Sequence, residues 1–268
     1  MHIPWRKIFI GELSWQRLLR SCALLYGIFF VGSCSFSEKL IFPYRGTSYD
    51  NTLSGLEMIP SEDGTQIATR YLRARDEKYL ILHFHGNYED MGRLDPLYGE
   101  LLAHQWSILA MDYRGYGLSE GAPKEKDCYR DAEALYQYAR KLGYRPEQII
   151  LWGRSVGGGL AVDLALHREA HALVLESTFA SAFRVATKVP IFPFDRFNNL
   201  KKIGVVEEPL FVLHGDQDTI IPAWHTEKLF LKHQGPKERH LIPGAGHNDL
   251  WNHSLEKEFE ALEAFLAK

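Results

Sequence analysis

The sequence predicts an α/β protein built on a mostly parallel sheet. Three observations carry this. First, five short runs (residues 79–84, 107–111, 148–152, 172–175 and 210–213) are apolar nearly throughout. Second, stretches with apolar residues at helical spacing occur along the same chain. Third, one run leads directly into Gly153-Arg154-Ser155-Val156-Gly157, followed by a helix-forming segment. Runs apolar at every position suit strands covered on both faces, and strands alternating with helices make parallel βαβ units.

The composition agrees. Of 268 residues, 46% are hydrophobic and 24% charged, which excludes a disordered chain, a coiled coil and a disulfide-dense miniprotein. A net charge of -3 leaves no basic excess for nucleic acid. Of the three cysteines, Cys22 and Cys34 lie in the first 36 residues and only Cys128 in the body, so no disulfide staples the body by itself.

In chain order, residues 1–36 form a signal or anchor segment. Arg6, Lys7, Arg17 and Arg20 precede an uncharged apolar stretch over 21–32. That length fits a signal-peptide core better than a bilayer span of about 20 residues. Val31-Gly32-Ser33-Cys34 then resembles the lipobox of bacterial lipoproteins, with the signal ending at Ser33 and Cys34 the residue to be acylated. An uncleaved anchor is the alternative, and both place the body at a membrane surface. An ordinary buried helix would show a polar face, which 21–32 lacks. Residues 37–54 read as a linker and 55–268 as the folded domain.

Residues 56–59 and 66–73 flank the turn Ser61-Glu62-Asp63-Gly64 and read as a hairpin. The five runs follow. They lead into His85-Gly86-Asn87, Asp112-Tyr113-Arg114-Gly115, Gly153, Glu176 and His214-Gly215. Glu89 and Asp90 are placed to favour the N-terminus of a following helix. Ala132, Leu135, Ala139 and Leu142 mark one helix; Leu255, Phe259, Leu262 and Leu266 mark a C-terminal one. The irregular stretch 177–208, with Pro190 and Pro193, reads as a short cap.

In open α/β sheets ligands bind beyond the carboxyl ends of the strands. The Gly153–Gly157 stretch meets the strand–turn–helix context that gives a G-x-S-x-G motif its meaning. Side chains at Gly153 or Gly157 would crowd the tight turn that pushes the Ser155 hydroxyl into the cleft. A serine hydroxyl needs a base, and His247 sits in the late loop Gly244-Ala245-Gly246-His247-Asn248-Asp249. Asp218 supplies the acid that orients it. Asp216 and Glu176 are weaker candidates for that role, as His240 and His253 are for the base. The oxyanion donors expected are the N–H of Val156 and that of Asn87, with Tyr88 as fallback.

With these pieces the chain resembles the alpha/beta-hydrolase superfamily, and most closely the membrane-anchored alpha/beta-hydrolase-domain proteins of the serine-aminopeptidase-like branch. The matching segments are His85-Gly86-Asn87, Asp112-Tyr113-Arg114-Gly115-Tyr116-Gly117, Gly153 to Gly157, His214 to Asp218, and Gly244 to Asp249. The resemblance implies an eight-stranded, mostly parallel sheet and a Ser155–His247–Asp218 triad. It further implies hydrolysis of a carboxylic ester or thioester through an acyl-enzyme, on a small or lipid-like acyl substrate and without cofactor or metal. A peptidase of the same fold and a non-catalytic, membrane-tethered binding protein are the alternatives. His83 and His85, two apart on a strand, are expected as a core histidine and a loop brace rather than a metal pair, and Arg114 as the ion-pair partner of Asp112. Cys128 reads as a small apolar residue.

Overall fold

The structure is a computed structural model. It describes residues 14–43, 46–187, 189, 191 and 194–268, with the side chains of 33–36, 254 and 255 left out, so the acylation expected at Cys34 and the charges expected at Arg6 and Lys7 lie outside the described set. The chain divides into two units, Met1–Leu40 and Ile41–Lys268.

In the larger unit, eight strands form one sheet: β1 (Leu56–Pro60), β2 (Gln66–Leu72), β3 (Tyr79–Phe84), β4 (Trp106–Met111), β5 (Ile149–Arg154), β6 (Ala172–Glu176), β7 (Leu210–Gly215) and β8 (Lys237–Ile242). Their order is β1-β2-β4-β3-β5-β6-β7-β8. The β1–β2 and β2–β4 pairs are antiparallel, and the remaining neighbours are parallel. The eight-stranded, mostly parallel sheet is therefore the one expected.

The strand sequences explain themselves once both faces are covered. Leu80, Leu82 and Phe84 enter one core while Ile81 enters the other. The same parity sends Leu173 and Leu175 one way, and Ala172 and Val174 the other. Period-two side-chain direction with apolar layers above and below turns alternation into a continuous apolar run.

The covering helices of this unit are amphipathic. Helix Glu125–Lys141 buries Cys128, Ala132, Leu135, Tyr136 and Ala139, has Glu125 and Asp127 in its first turn, and ends in Arg140 and Lys141. That charge order complements the helix dipole. Gly143, at φ 99°, then supplies the left-handed residue that ends it. On the opposite face, helix Leu250–Leu266 buries Phe259, Leu262, Phe265 and Leu266.

Three expectations are corrected. Part of the stretch read as a linker belongs to the body: Phe42 is fully buried and packs edge-on to Tyr113, Tyr116 and Phe197, while Tyr49 donates its hydroxyl to Asp112. Glu89 and Asp90 do not lead into an α-helix. They precede a single 3-10 turn, Met91–Arg93, which Asp90 begins without a side-chain cap bond; the α-helix starts at Asp95, and the Asp90 carboxylate instead accepts the Ser48 N–H at 2.6 Å. Arg114 does not pair with Asp112. It reaches Asp131 and Asp63 at 2.7 and 2.6 Å, pinning the β1–β2 turn to helix Glu125–Lys141.

The expected cap stretch contains two short helices, Ala182–Ala186 and Asn199–Lys202. Asp195 ties it inward by accepting from Ser181 Oγ (2.6 Å) and the Phe183 N–H (2.9 Å). Lys188, Pro190, Phe192 and Pro193 lie outside the described residues.

The smaller unit holds a 27-residue helix, Trp15–Ile41, which ends one residue into the body. Leu19, Leu24, Leu25, Ile28 and Phe29 on it are exposed. No helix among the described residues is long and apolar enough to cross a membrane.

Candidate active site

At the carboxyl end of β5 the chain turns sharply into helix Gly157–His167. Ser155 occupies that turn at φ 52°, a left-handed conformation few side-chain-bearing residues adopt. Strain of this kind persists only where its surroundings over-determine it. Here the Ser155 N–H donates to Glu176 O at 2.8 Å, and Ser155 O accepts from Thr178 Oγ1 at 2.7 Å. The glycines are sterically required. A Cβ on Gly153 would come within 2.5 Å of Gly158 Cα, and one on Gly157 within 2.5 Å of the Phe84 carbonyl carbon. The turn thus lies directly against the end of β3.

The structure brings Ser155, His247 and Asp218 together. His247 Nε2 lies 3.2 Å from Ser155 Oγ, and His247 Nδ1 lies 2.7 Å from Asp218 Oδ2. A carboxylate only accepts, so Nδ1 carries the proton and Nε2 faces the hydroxyl as an acceptor. Asp218 Oδ1 also takes the N–H groups of Ile220 (2.9 Å) and Ile221 (2.7 Å). On its other side stands buried His214, whose Nε2 is 3.3 Å from Oδ2. Burial pushes the Asp218 carboxyl up, but His214, His247 and the backbone donors outweigh it and hold the group well below the usual carboxylate range. The acid is thereby kept as a fixed anion beneath the imidazole.

The histidine loop is held from β5. Arg154 donates to His247 O at 3.2 Å and to Asn248 Oδ1 at 3.0 Å. Its guanidinium also pairs with Glu89 and, at 3.2 Å, with Glu176. Burial pushes the Glu89 carboxyl up, but Arg154, His85 and the Gly86 N–H together more than cancel this, leaving it below its ordinary range. Glu176 accepts from Trp152 and Trp251, each at 3.1 Å, and for it burial prevails and raises the carboxyl. One arginine therefore joins the residue preceding the serine to the loop bearing the histidine.

The other candidates fall elsewhere. Asp216 accepts the Gly244 N–H at 2.8 Å and so braces the histidine loop from below. His240 pairs with Glu238 and Glu258, and His253 with Asp249. Val156 is buried at the start of the helix. Asn87 is anchored through Nδ2 to Ile41 O (2.9 Å), while its own carbonyl takes the Tyr116 hydroxyl (3.0 Å). No backbone acceptor among the described residues pairs with the Val156 or Asn87 N–H. Tyr88 is 70% exposed.

β3 ends at Phe84, so His83 and His85 diverge. His83 packs against Tyr98 and Trp152, and burial pushes its imidazole down to about 3, a neutral core histidine. His85 turns toward Asp112. Among the described residues no three His, Cys, Asp or Glu side chains cluster as metal ligands.

Sequence reasoning missed His214, Arg154 and Glu89. His214 stands four residues before Asp218 in the same quoted motif, which was a usable signal. Arg154 and Glu89 are 65 residues apart, and nothing in the pattern joins them.

A family model described as "Serine aminopeptidase, S33" matches residues 75–203. The human alpha/beta hydrolase domain-containing protein 17B is 38% identical over 208 residues, covering 75% of this chain and 72% of its own. The mouse protein 17C is 37% identical over 228 residues, covering 82% and 70%. Among solved structures, the esterase Pf2001 of Pyrococcus furiosus superposes with a TM-score of 0.71 at 18% identity, covering 85% of this chain and 96% of that one. Est1E of Butyrivibrio proteoclasticus, solved with ferulic acid, gives 0.65 at 19%, covering 79% and 98%. The structural likenesses bear on the fold alone.

Proposed function

The chain belongs to the alpha/beta-hydrolase superfamily, in its serine-aminopeptidase-like branch, and on that footing we propose that this hydrolase is a serine enzyme cleaving carboxylic esters or thioesters. The carrying observation is the Ser155–His247–Asp218 chain of contacts, 3.2 and 2.7 Å, with the serine on a strained turn at a helix N-terminus.

Ser155 Oγ attacks the acyl carbon while His247 Nε2 takes its proton. Asp218 holds the tautomer and stabilises the imidazolium. The Val156 and Asn87 N–H groups receive the oxyanion. His247 returns the proton to the leaving alcohol or thiol, and water, activated the same way, releases the acid. No step calls on a cofactor. An aminopeptidase would need a carboxylate for the substrate's free amine. The carboxylates flanking the Ser155 turn, Glu89 and Glu176, are both engaged by Arg154, which favours the ester and thioester reading over that one.

Labelling with a fluorophosphonate probe tests the chemistry, with acyl p-nitrophenyl esters and acyl thioesters as substrates. Labelling of wild type that disappears in Ser155→Ala, with turnover that disappears in His247→Ala, is expected. An unlabelled wild type would sink the proposal and favour a binding protein on the same scaffold.

The proposal extends to the membrane surface, which the N-terminal segment would hold through its exposed apolar side chains or through acylation at Cys34. The support is the apolar run 21–32 and the exposure of Leu24, Leu25, Ile28 and Phe29. Mass spectrometry of the mature N-terminus decides between cleavage at Ser33 and an intact segment.

A further inference from the structure

His85 is fully buried, and each of its ring nitrogens faces an acceptor. Nδ1 lies 2.7 Å from Gly86 O, and Nε2 lies 3.1 Å from Asp112 Oδ1. The second approach is oblique to the ring N–H axis, so it is an ion-pair contact rather than an aligned hydrogen bond. A neutral imidazole carries one proton, and would turn a lone pair toward either the carbonyl or the carboxylate. Only the imidazolium gives the carbonyl a donor and the carboxylate a counter-charge. Asp112 is equipped to oppose that charge: it also accepts from the Met91 N–H at 2.9 Å and from the Tyr49 hydroxyl. Burial pushes the His85 pKa down, but Asp112, Glu89 and the Gly86 carbonyl together outweigh it and raise it above the ordinary histidine range. The Tyr113 and Tyr116 rings complete its surroundings at 4.4 and 5.8 Å.

The position of that charge matters more than its existence. Gly86 C=O and Asn87 N–H are the two ends of one peptide group. A cationic donor on the carbonyl draws electron density toward oxygen and makes the N–H at the other end a stronger donor. The neighbouring peptides are tied on both sides. Tyr113 donates to His85 O, Tyr116 donates to Asn87 O at 3.0 Å, and the Gly86 N–H donates to Glu89 at 2.7 Å. The peptide is therefore fixed in direction as well as polarised.

We propose that His85 is a positioning residue: as an imidazolium clamped between Asp112 and the Gly86 carbonyl, it aims and polarises the Asn87 N–H toward the developing oxyanion. This rests on the serine-hydrolase reading above, because it gives the Asn87 N–H its task. A merely structural histidine would hold the loop without carrying charge, and its loss would register in stability or KM.

The test compares wild type with Asp112→Asn, which keeps an acceptor but removes the charge opposing the ring, and with His85→Gln, which offers a neutral donor. Each is measured for kcat and KM on a p-nitrophenyl ester and for affinity toward an alkyl boronic acid, whose tetrahedral adduct carries the oxyanion's charge. Nitrogen-15 spectra of wild type report the protons on the His85 ring. Expected are two ring N–H protons at neutral pH, a kcat lower by about 10-fold to 100-fold in both variants, a parallel loss of boronate affinity, and KM within about twofold. A single ring proton in wild type, or a change confined to KM or to thermal stability, overturns the role of His85. If His85→Gln does not fold, Asp112→Asn and the wild-type spectrum decide alone. A wild type that the fluorophosphonate leaves unlabelled overturns the serine-hydrolase reading itself. Labelled wild type with unimpaired variants overturns only His85.

Discussion

The buried anions and cations at the centre of the site do different work, and single substitutions separate them. Asp218 carries its charge beneath His247 with donors on both oxygens. Asp218→Asn preserves the shape but reverses the tautomer demanded of His247, so kcat is expected to fall about 10⁴-fold, read on a p-nitrophenyl ester. Its depressed carboxyl also sets a pH signature. A group with a lowered folded pKa stabilises fully above its unfolded value, about 3.9, and loses that contribution as pH falls from there through the folded value. In urea unfolding, the stability gap between wild type and Asp218→Asn should be constant above about pH 5 and close progressively below about pH 4. Arg154 is expected to behave as a structural charge. Arg154→Gln strands Glu89 and Glu176 in the interior, at a cost of about 3–5 kcal/mol. Glu176→Gln in the same background should recover part of the loss in thermal unfolding midpoint, since one of the two stranded charges is then gone.

β3 and β5 are parallel neighbours with Phe84 opposite Gly153, and the helix that follows the serine starts directly against the β3 carbonyls. Gly157→Ala must push those strands apart or tilt the helix, and is expected to destabilise by about 3–5 kcal/mol and to abolish fluorophosphonate labelling. Gly143→Ala is the useful control. Its φ is 99°, yet a Cβ there meets nothing within 4 Å, so only the backbone penalty of about 1–2 kcal/mol applies and labelling should persist. This contrast also shows what was legible. The Ser155 turn could be read because its glycines, its serine and its apolar strand are contiguous. The α-helix expected right after Asn87 starts later, at Asp95, and the two acids serve other partners: Glu89 takes the Gly86 N–H and the distant Arg154, Asp90 the distant Ser48. Local charge preference at a helix N-terminus is worth less than about 1 kcal/mol and gives way to such contacts.

At the scale of the whole molecule, the body begins at Ile41 and carries its own core on both faces of the sheet. A chain of residues 41–268 is expected to keep the ester kcat and the unfolding midpoint of the full protein; the proposed membrane role of the N-terminal segment further predicts that only the full chain sediments with phospholipid vesicles. Starting instead at residue 55 removes Phe42 from its four-ring cluster and Tyr49 from Asp112. Loss of the buried phenylalanine alone is worth about 3–5 kcal/mol, so that shorter chain should unfold at distinctly lower temperature. Composition gave no warning of this boundary, because residues 42–54 lack any strand or helix period, and a segment packed without secondary structure looks like a linker in sequence.

By itself the sequence determined the class of fold, the burial of its central strands on both faces, the glycine-framed serine, and the chain order of serine, aspartate and histidine. These are properties of neighbouring residues: period, steric allowance and turn chemistry act over a few positions. Tertiary structure alone decided that β3 lies between β4 and β5, that Arg114 holds Asp131 and Asp63, that Arg154 grips the histidine loop, and that His85 faces two acceptors. Those pairings depend on strand order and register. Hydropathy reports that a strand is buried and not beside which neighbour, so contacts between residues 65 or 92 positions apart exist only once the sheet is assembled.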